Sequence, residues 1–229
     1  MNVLGLSTSS NKGEDHSSWG SSTEVLFHIL EELNSLNFKT NYVDVSDIHI
    51  VGNLSCYSSD GKGCADPKSG PYRCWAHKNS LSDPKKYGGV DQMPVIYDGI
   101  NWADVILVST SVRWGTHTAI LQNMIERMNT LENRHSVYGE PNPCAGKKLG
   151  VIVTGQHWMS QRVAQQLLDT FGLIGFEAGR NSMFTWQRSN NMRLEQVGPN
   201  INHIKNYLNT EKGKDQVQSF INEVLGINQ

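Results

Sequence analysis

The chain has 229 residues, enough for one α/β domain with a full core. Its apolar fraction is 38%, or about 47% once the 21 glycines are counted, which excludes disorder as a starting assumption. With 20 basic and 22 acidic residues the net charge is −2, so neither nucleic acid nor a membrane surface is expected as a partner, and an anionic ligand has to be held locally.

The N-terminus enters a strand at once (Val3, Leu4, Gly5, Leu6) with no basic, apolar leader, and no later apolar run reaches the ~20 residues of a membrane span, so a cytoplasmic location is expected. After Leu6 comes a loop dense in serine, threonine and glycine. The helix behind it carries Val25, Leu26, Ile29, Leu30 and Leu33 on one face, with Ser22 or Thr23 placed as its N-cap. Unpaired amides and the helix dipole at such a start can bind a phosphate without lysine or arginine. Neither G-x-G-x-x-G nor G-x-x-x-x-G-K-[ST] occurs, so no dinucleotide fingerprint or P-loop is present, and hydroxyls favour a flavin mononucleotide over a nucleoside triphosphate.

A second strand is expected at Asn41–Val45, followed by an irregular insertion over residues 52–93 that holds Cys56, Cys64 and Cys74 and the aromatics Tyr57, Tyr72, Trp75 and Tyr87. A segment of this length without periodicity is expected to be functional or mobile, and its aromatics to cover a ligand. A short helix from Met93 to Trp102 leads to the stretch that organises the rest. Val105–Val108 reads as a strand buried on both faces; it breaks into Ser109, Thr110, Ser111, Arg113, Trp114 and Gly115, and a helix with Ile120, Leu121, Met124, Ile125 and Met128 at helical spacing follows. Trp114 has no apolar neighbours and is more naturally a stacking surface than a core filler.

Leu149–Val153 repeats the pattern, ending in Thr154, Gly155, Gln156 and His157 before a helix with Val163, Leu167, Leu168 and Phe171. A fifth strand is expected near Glu177–Trp186, then a helical extension over residues 199–229. Strands alternating with helices predict an α/β fold, a single domain over residues 1–229 with a doubly wound five-stranded parallel sheet. In the order 2-1-3-4-5, strands 1, 3 and 4 lie side by side and their three loops converge.

Taken together, the three loops resemble those of the flavodoxin-like NAD(P)H-dependent oxidoreductases, the group holding NADPH-dependent FMN reductases, WrbA-type quinone reductases and iron-sulfur flavoproteins. The resemblance rests on Gly5–Ser9 with Ser21–Thr23, on Thr110–Thr116, and on Thr154–Gln156. It implies that Ser7, Ser9, Ser22 and Thr23 bind the FMN phosphate, that Ser111, Val112, Arg113, Trp114 and Gly115 border the isoalloxazine ring, and that Thr154, Gly155 and Gln156 approach its pyrimidine edge. Ser111 stands where the family usually has proline and Arg113 where it has an aromatic. Arg113 is either a cation near the ring or a surface residue.

The resemblance implies an FMN-dependent enzyme that moves a hydride from NAD(P)H to flavin and then to a quinone-like or other small acceptor. It also implies a homo-oligomer, dimer or tetramer. Because the flavin performs the chemistry, no catalytic side chain is assigned. The alternative is an electron-carrier flavodoxin exchanging single electrons with a protein partner; flavodoxins are usually strongly acidic, unlike this chain. The cysteine spacings C-x7-C and C-x9-C fit neither compact cluster ligation nor paired C-x2-C zinc binding, so no metal is expected and reduced thiols are the first reading, with metal binding or a disulfide as alternatives.

Overall fold

Five strands pair in parallel: β1 (Asn2–Ser7), β2 (Lys39–Asp44), β3 (Val105–Ser111), β4 (Lys148–Gly155) and β5 (Met183–Gln187), ordered β2-β1-β3-β4-β5. The computed structural model describes residues 1–9, 20–56, 63–155, 158–189 and 200–227, with the backbone alone at 200 and 201. The helices are α1 (Ser21–Ser35), α2 (Trp75–Ser82), α3 (Met93–Trp102), α4 (Ala119–Ser136), α5 (Ser160–Ile174), α6 (Asn200–Leu208) and α7 (Glu211–Leu225). This is the flavodoxin-like order expected from the sequence.

Strand alternation sorts the core into two layers. Leu4, Leu6, Ile106, Val108, Val151 and Val153 face α3, α4 and α5, whereas Val3, Val105, Leu107 and Ile152 face α1, α6 and α7. Two glycines let helices lie directly on the sheet. A Cβ at Gly5 would stand 2.7 Å from Leu30 Cδ1 in α1, and one at Gly150 would stand 2.7 Å from Phe220 Cζ in α7.

The strands keep the expected positions with shifted ends: β3 runs three residues and β4 two residues further into their polar loops. At the fifth strand, Glu177 makes only an isolated bridge to Lys148 before the chain turns and β5 begins at Met183. The start of α1 also differs from expectation. Gly20 is the N-cap, without a side-chain capping bond, so Ser22 and Thr23 lie inside the first helical turn.

The insertion is more ordered than its composition suggests. It contains a 3-10 turn (Pro67–Ser69) and α2, and a buried ion pair fastens it to α4. Arg127 donates to Asp91 Oδ1 at 2.8 Å and Oδ2 at 2.7 Å and also to the Val51 carbonyl, while Val51 N donates to Asp91 Oδ1 at 2.9 Å. Burial alone would lower the Arg127 pKa, but the bonds to Asp91 outweigh it and keep the guanidinium charged. The described aromatics of the insertion also pack on the protein itself. Tyr72 packs on Tyr97 and His77, Trp75 lies under Lys78 Nζ, and Tyr87 packs against Val51, Cys74 and Ala76. Tyr57 lies outside the described residues.

Candidate functional site

The carboxyl edge of the sheet turns from apolar to hydroxyl within one residue on each of β1 and β3. Ser7 pairs with Ser109 and Ser111 with Thr154, and the ladder continues past the strands as Thr8 N donates to Ser109 O at 3.0 Å and Val112 N to Thr154 O at 2.9 Å. The first residues of the loops after β1 and β3 are therefore bonded to the strands beside them. Thr118, the N-cap of α4, ties two of them: its Oγ1 accepts from Leu121 N at 3.3 Å and lies 3.1 Å from Thr8 O.

Ser7, Ser9, Ser22 and Thr23 come together where β1 meets α1, and all four are buried. They do not play equivalent parts. Ser7 Oγ and Thr23 Oγ1 lie 2.7 Å apart in a mutual hydrogen bond, so this pair closes the junction. Among the described residues Ser22 Oγ is buried with no partner, and so are Ser109 Oγ and Ser111 Oγ. Ser109 and Ser111 continue the alternation of Val105 and Leu107, so they leave the sheet on the face that α1 covers. A buried hydroxyl left unpaired costs about 1–3 kcal/mol, so these three mark a place where the described residues leave polar groups uncompleted. With the uncapped start of α1, they fit a phosphorylated ligand at the carboxyl ends of β1 and β3.

The loop after β3 is a two-residue hairpin. Arg113 and Thr116 exchange backbone bonds of 2.7 and 3.0 Å, and Trp114 (φ 49°) and Gly115 (φ 82°) occupy the two left-handed positions of a type I′ turn. Glycine takes such a φ freely, but tryptophan does so at a cost of about 1–2 kcal/mol. Its side chain is 101% exposed, so no packing offsets the strain, and Arg113 is exposed beside it. Gly155 sits against this loop: a Cβ there would meet Val112 Cγ2 and the Trp158 carbonyl, each at 3.3 Å. Gln156 and His157 lie outside the described residues.

The sequence assigns no separate role to Thr8 or Ser109, which it places in the loops, and does not single out Thr118 or His117. Thr118 carried a usable signal, a hydroxyl residue just before an apolar helical run. Ser109 could be read only with the strand's facing known. His117 is buried, and its Nε2 donates to Gln122 Oε1 at 2.8 Å, which orients the ring at the foot of the hairpin. Across the sheet edge, burial and then the Asp44 carboxylate push the Tyr42 phenol up to about 12, so it stays protonated beside Ser7.

A model of the family described as NADPH-dependent FMN reductase matches residues 1–188. No curated protein sequence matches the chain. Among solved structures the chain is similar to RosB with bound 8-demethyl-8-formylriboflavin-5′-phosphate, with a TM-score of 0.71 and 16% identity over 98% of this chain and 77% of that one. It is also similar to an FMN-dependent NADH-azoreductase from Bacillus anthracis in complex with FMN, with a TM-score of 0.56 and 12% identity over 96% and 98% of the two chains. The apo form of the NADH:FMN oxidoreductase EMOB gives a TM-score of 0.54 and 13% identity over 100% and 90%. At these identities the structures support the fold alone.

Proposed function

The chain belongs to the NADPH-dependent FMN reductase family, and on that premise we propose that it oxidises NAD(P)H with FMN and passes the electrons to a small acceptor of the quinone type. The observation that carries the reading is the cluster of hydroxyls at the junction of β1, β3 and α1, where Ser22, Ser109 and Ser111 have no partner among the described residues. FMN held at these loops would supply two-electron redox chemistry between the nicotinamide and the acceptor.

The protein's own residues bind and orient. Ser22 and the first amides of α1 hold the phosphate, with Ser9 beside them, and the Ser7–Thr23 bond fixes the strand and helix they stand on. Ser111, Val112, Arg113, Trp114 and Gly115 border the ring, and Thr154, Gly155 and Gln156 approach its pyrimidine edge. In this reading Trp114 is held by its turn as an aromatic face for ring or acceptor, and its backbone strain is the cost of presenting it. The working unit is a homodimer or tetramer in the cytoplasm, and sedimentation velocity reads the assembly directly. Among the described residues no helix is long and apolar enough to cross a membrane.

Steady-state oxidation of NAD(P)H with FMN and a quinone tests the reading, using Trp114→Gly as the informative variant. Glycine relieves the left-handed strain, so the variant should be about 1 kcal/mol more stable than wild type while its catalytic efficiency falls about tenfold. A wild-type protein reduced by neither nucleotide, yet reduced by a protein electron donor, would be a carrier instead.

A further inference from the structure

Cys56, Cys64 and Cys74 line one cavity of about 20 Å³ between the insertion and α4, with Arg127, Asn129 and Thr130 on the helix side. A space of that size holds about one water molecule, so the three cysteines stand close around it. Cys74, the N-cap of α2, is buried, and Arg127 Nη2 donates to its Sγ at 3.2 Å. Cys56 and Cys64 are half-buried, within reach of a small solute. The fourth cysteine, Cys144, is buried in the hydrophobic core and takes no part in this cavity.

The backbone marks the same three residues. Among the described residues six non-glycine positions have a positive φ, and three of them adjoin these cysteines: Ser55 (φ 49°) before Cys56, Ala65 (φ 61°) after Cys64 and Arg73 (φ 53°) before Cys74. Left-handed backbone is unfavourable for such residues, and it gathers where the surroundings hold a functional group in place.

The thiols also feel one another. Burial, and then Cys74, push the Cys64 thiol up to about 11, and the same two causes raise Cys56. Burial raises the Tyr97 phenol of α3, and both Cys74 and Cys64 add to it, so these two sulfurs face the same wall of the cavity.

A metal cation is the poorer occupant. The Arg127 guanidinium, kept charged by Asp91, sits on the very sulfur that would have to ligate it. No three histidine, cysteine, aspartate or glutamate side chains among the described residues are arranged to hold a metal ion. Two-electron oxidation of thiols needs no cation. It needs one thiol that solvent reaches and a second held behind it, which are Cys64 and Cys74.

We propose that Cys64 and Cys74 form a reversible disulfide when a hydroperoxide oxidises the protein. The Cys64 thiolate attacks the peroxide, the O–O bond breaks, and an alcohol or water leaves, with Cys64 left as a sulfenic acid. The Cys74 sulfur then displaces the hydroxyl, the S–S bond forms, and water leaves. In sum two thiols and one hydroperoxide give one disulfide, one alcohol and one water, and the two electrons that reduce the O–O bond come from the sulfurs. A small thiol reverses the step by exchange. The bond closes the segment carrying the 3-10 turn Pro67–Ser69 onto the start of α2, while Arg127 keeps both bonds to Asp91. In the cytoplasmic setting proposed above such a bond is transient and not a permanent staple. The proposal is independent of the flavin reading.

Non-reducing peptide mapping of the full chain tests it, with free thiols blocked by N-ethylmaleimide in denaturant before and after exposure to hydrogen peroxide. Untreated protein should show all four cysteines blocked. Peroxide should leave Cys56 and Cys144 blocked and yield a Cys64–Cys74 linked peptide that dithiothreitol removes. Linking should be about tenfold faster at about pH 8 than at about pH 7, because the thiolate is the nucleophile. In Cys74→Ser, shown to be folded by circular dichroism, Cys64 should go on to the sulfinic acid. A link from Cys74 to Cys56 instead, oxidation with no link at all, or stoichiometric zinc or iron in the wild type that Cys74→Ser loses would overturn it.

Discussion

Ser22 separates a ligand-binding role from a structural one more cleanly than its neighbours. Thr23 shares its hydroxyl with Ser7, so changing it disturbs the β1–α1 junction as well as any phosphate. Among the described residues Ser22 Oγ has no hydrogen-bond partner, so Ser22→Ala removes an unsatisfied group. The variant should be unchanged in stability or more stable by up to about 1 kcal/mol in denaturant unfolding, yet bind FMN roughly tenfold more weakly, with little change for riboflavin, which lacks the phosphate. Equal loss for both flavins would place Ser22 in the fold. Residue types and loop positions were legible in the sequence here; the division of labour was not. Hydroxyl-rich composition marks Ser7, Ser22 and Thr23 alike, and only the helix start at Gly20 and the facing of β1 distinguish the bonded pair from the free group.

At the scale of elements, the sequence reading succeeded where tertiary structure reinforces a local pattern and failed where it replaces one. The β3–α4 unit was legible because its strand is apolar throughout and Leu121, Met124 and Met128 recur at helical spacing. α2 was not, because WAHKNSLS has no apolar stripe and buries only Ala76 and Ser80, the latter accepting from Asp91 N at 2.9 Å. What orders the insertion is Asp91 meeting Arg127, a cation on the buried face of α4 that no periodicity rule predicts. Asp91→Asn keeps the shape but leaves a buried guanidinium without its counter-charge. Urea unfolding should show a loss of about 3–5 kcal/mol, and the double variant Asp91→Leu, Arg127→Met should recover part of it. A single-variant loss below about 1 kcal/mol would mean that water reaches the pair and the insertion is held by other contacts.

For the molecule as a whole, acids shielded from water set an alkaline limit to stability, with the buried Cys144 and the half-buried Tyr42 among them. Burial pushes the Cys144 thiol from 9.0 up to about 12, and burial with Asp44 pushes Tyr42 from 10.0 to about 12. Between these values the unfolded chain releases protons that the native chain keeps, so their contribution is complete below pH 9 and is lost as pH rises toward 12. Denaturant midpoints should fall from about pH 8 to about pH 11, and Cys144→Ala should flatten part of the decline. The sheet order was legible because five strand segments separated by helices leave few right-handed topologies, whereas a groove beside β5 was not, since Arg188, His203 and Lys212 are scattered in sequence and share its lining only through the packing of α6 and α7. The central claim is that three loops at one edge of this sheet form an FMN site. Titrating the apo protein into FMN and following flavin fluorescence tests it most directly: saturable quenching at micromolar protein is the predicted result, and undiminished fluorescence from folded protein would contradict it.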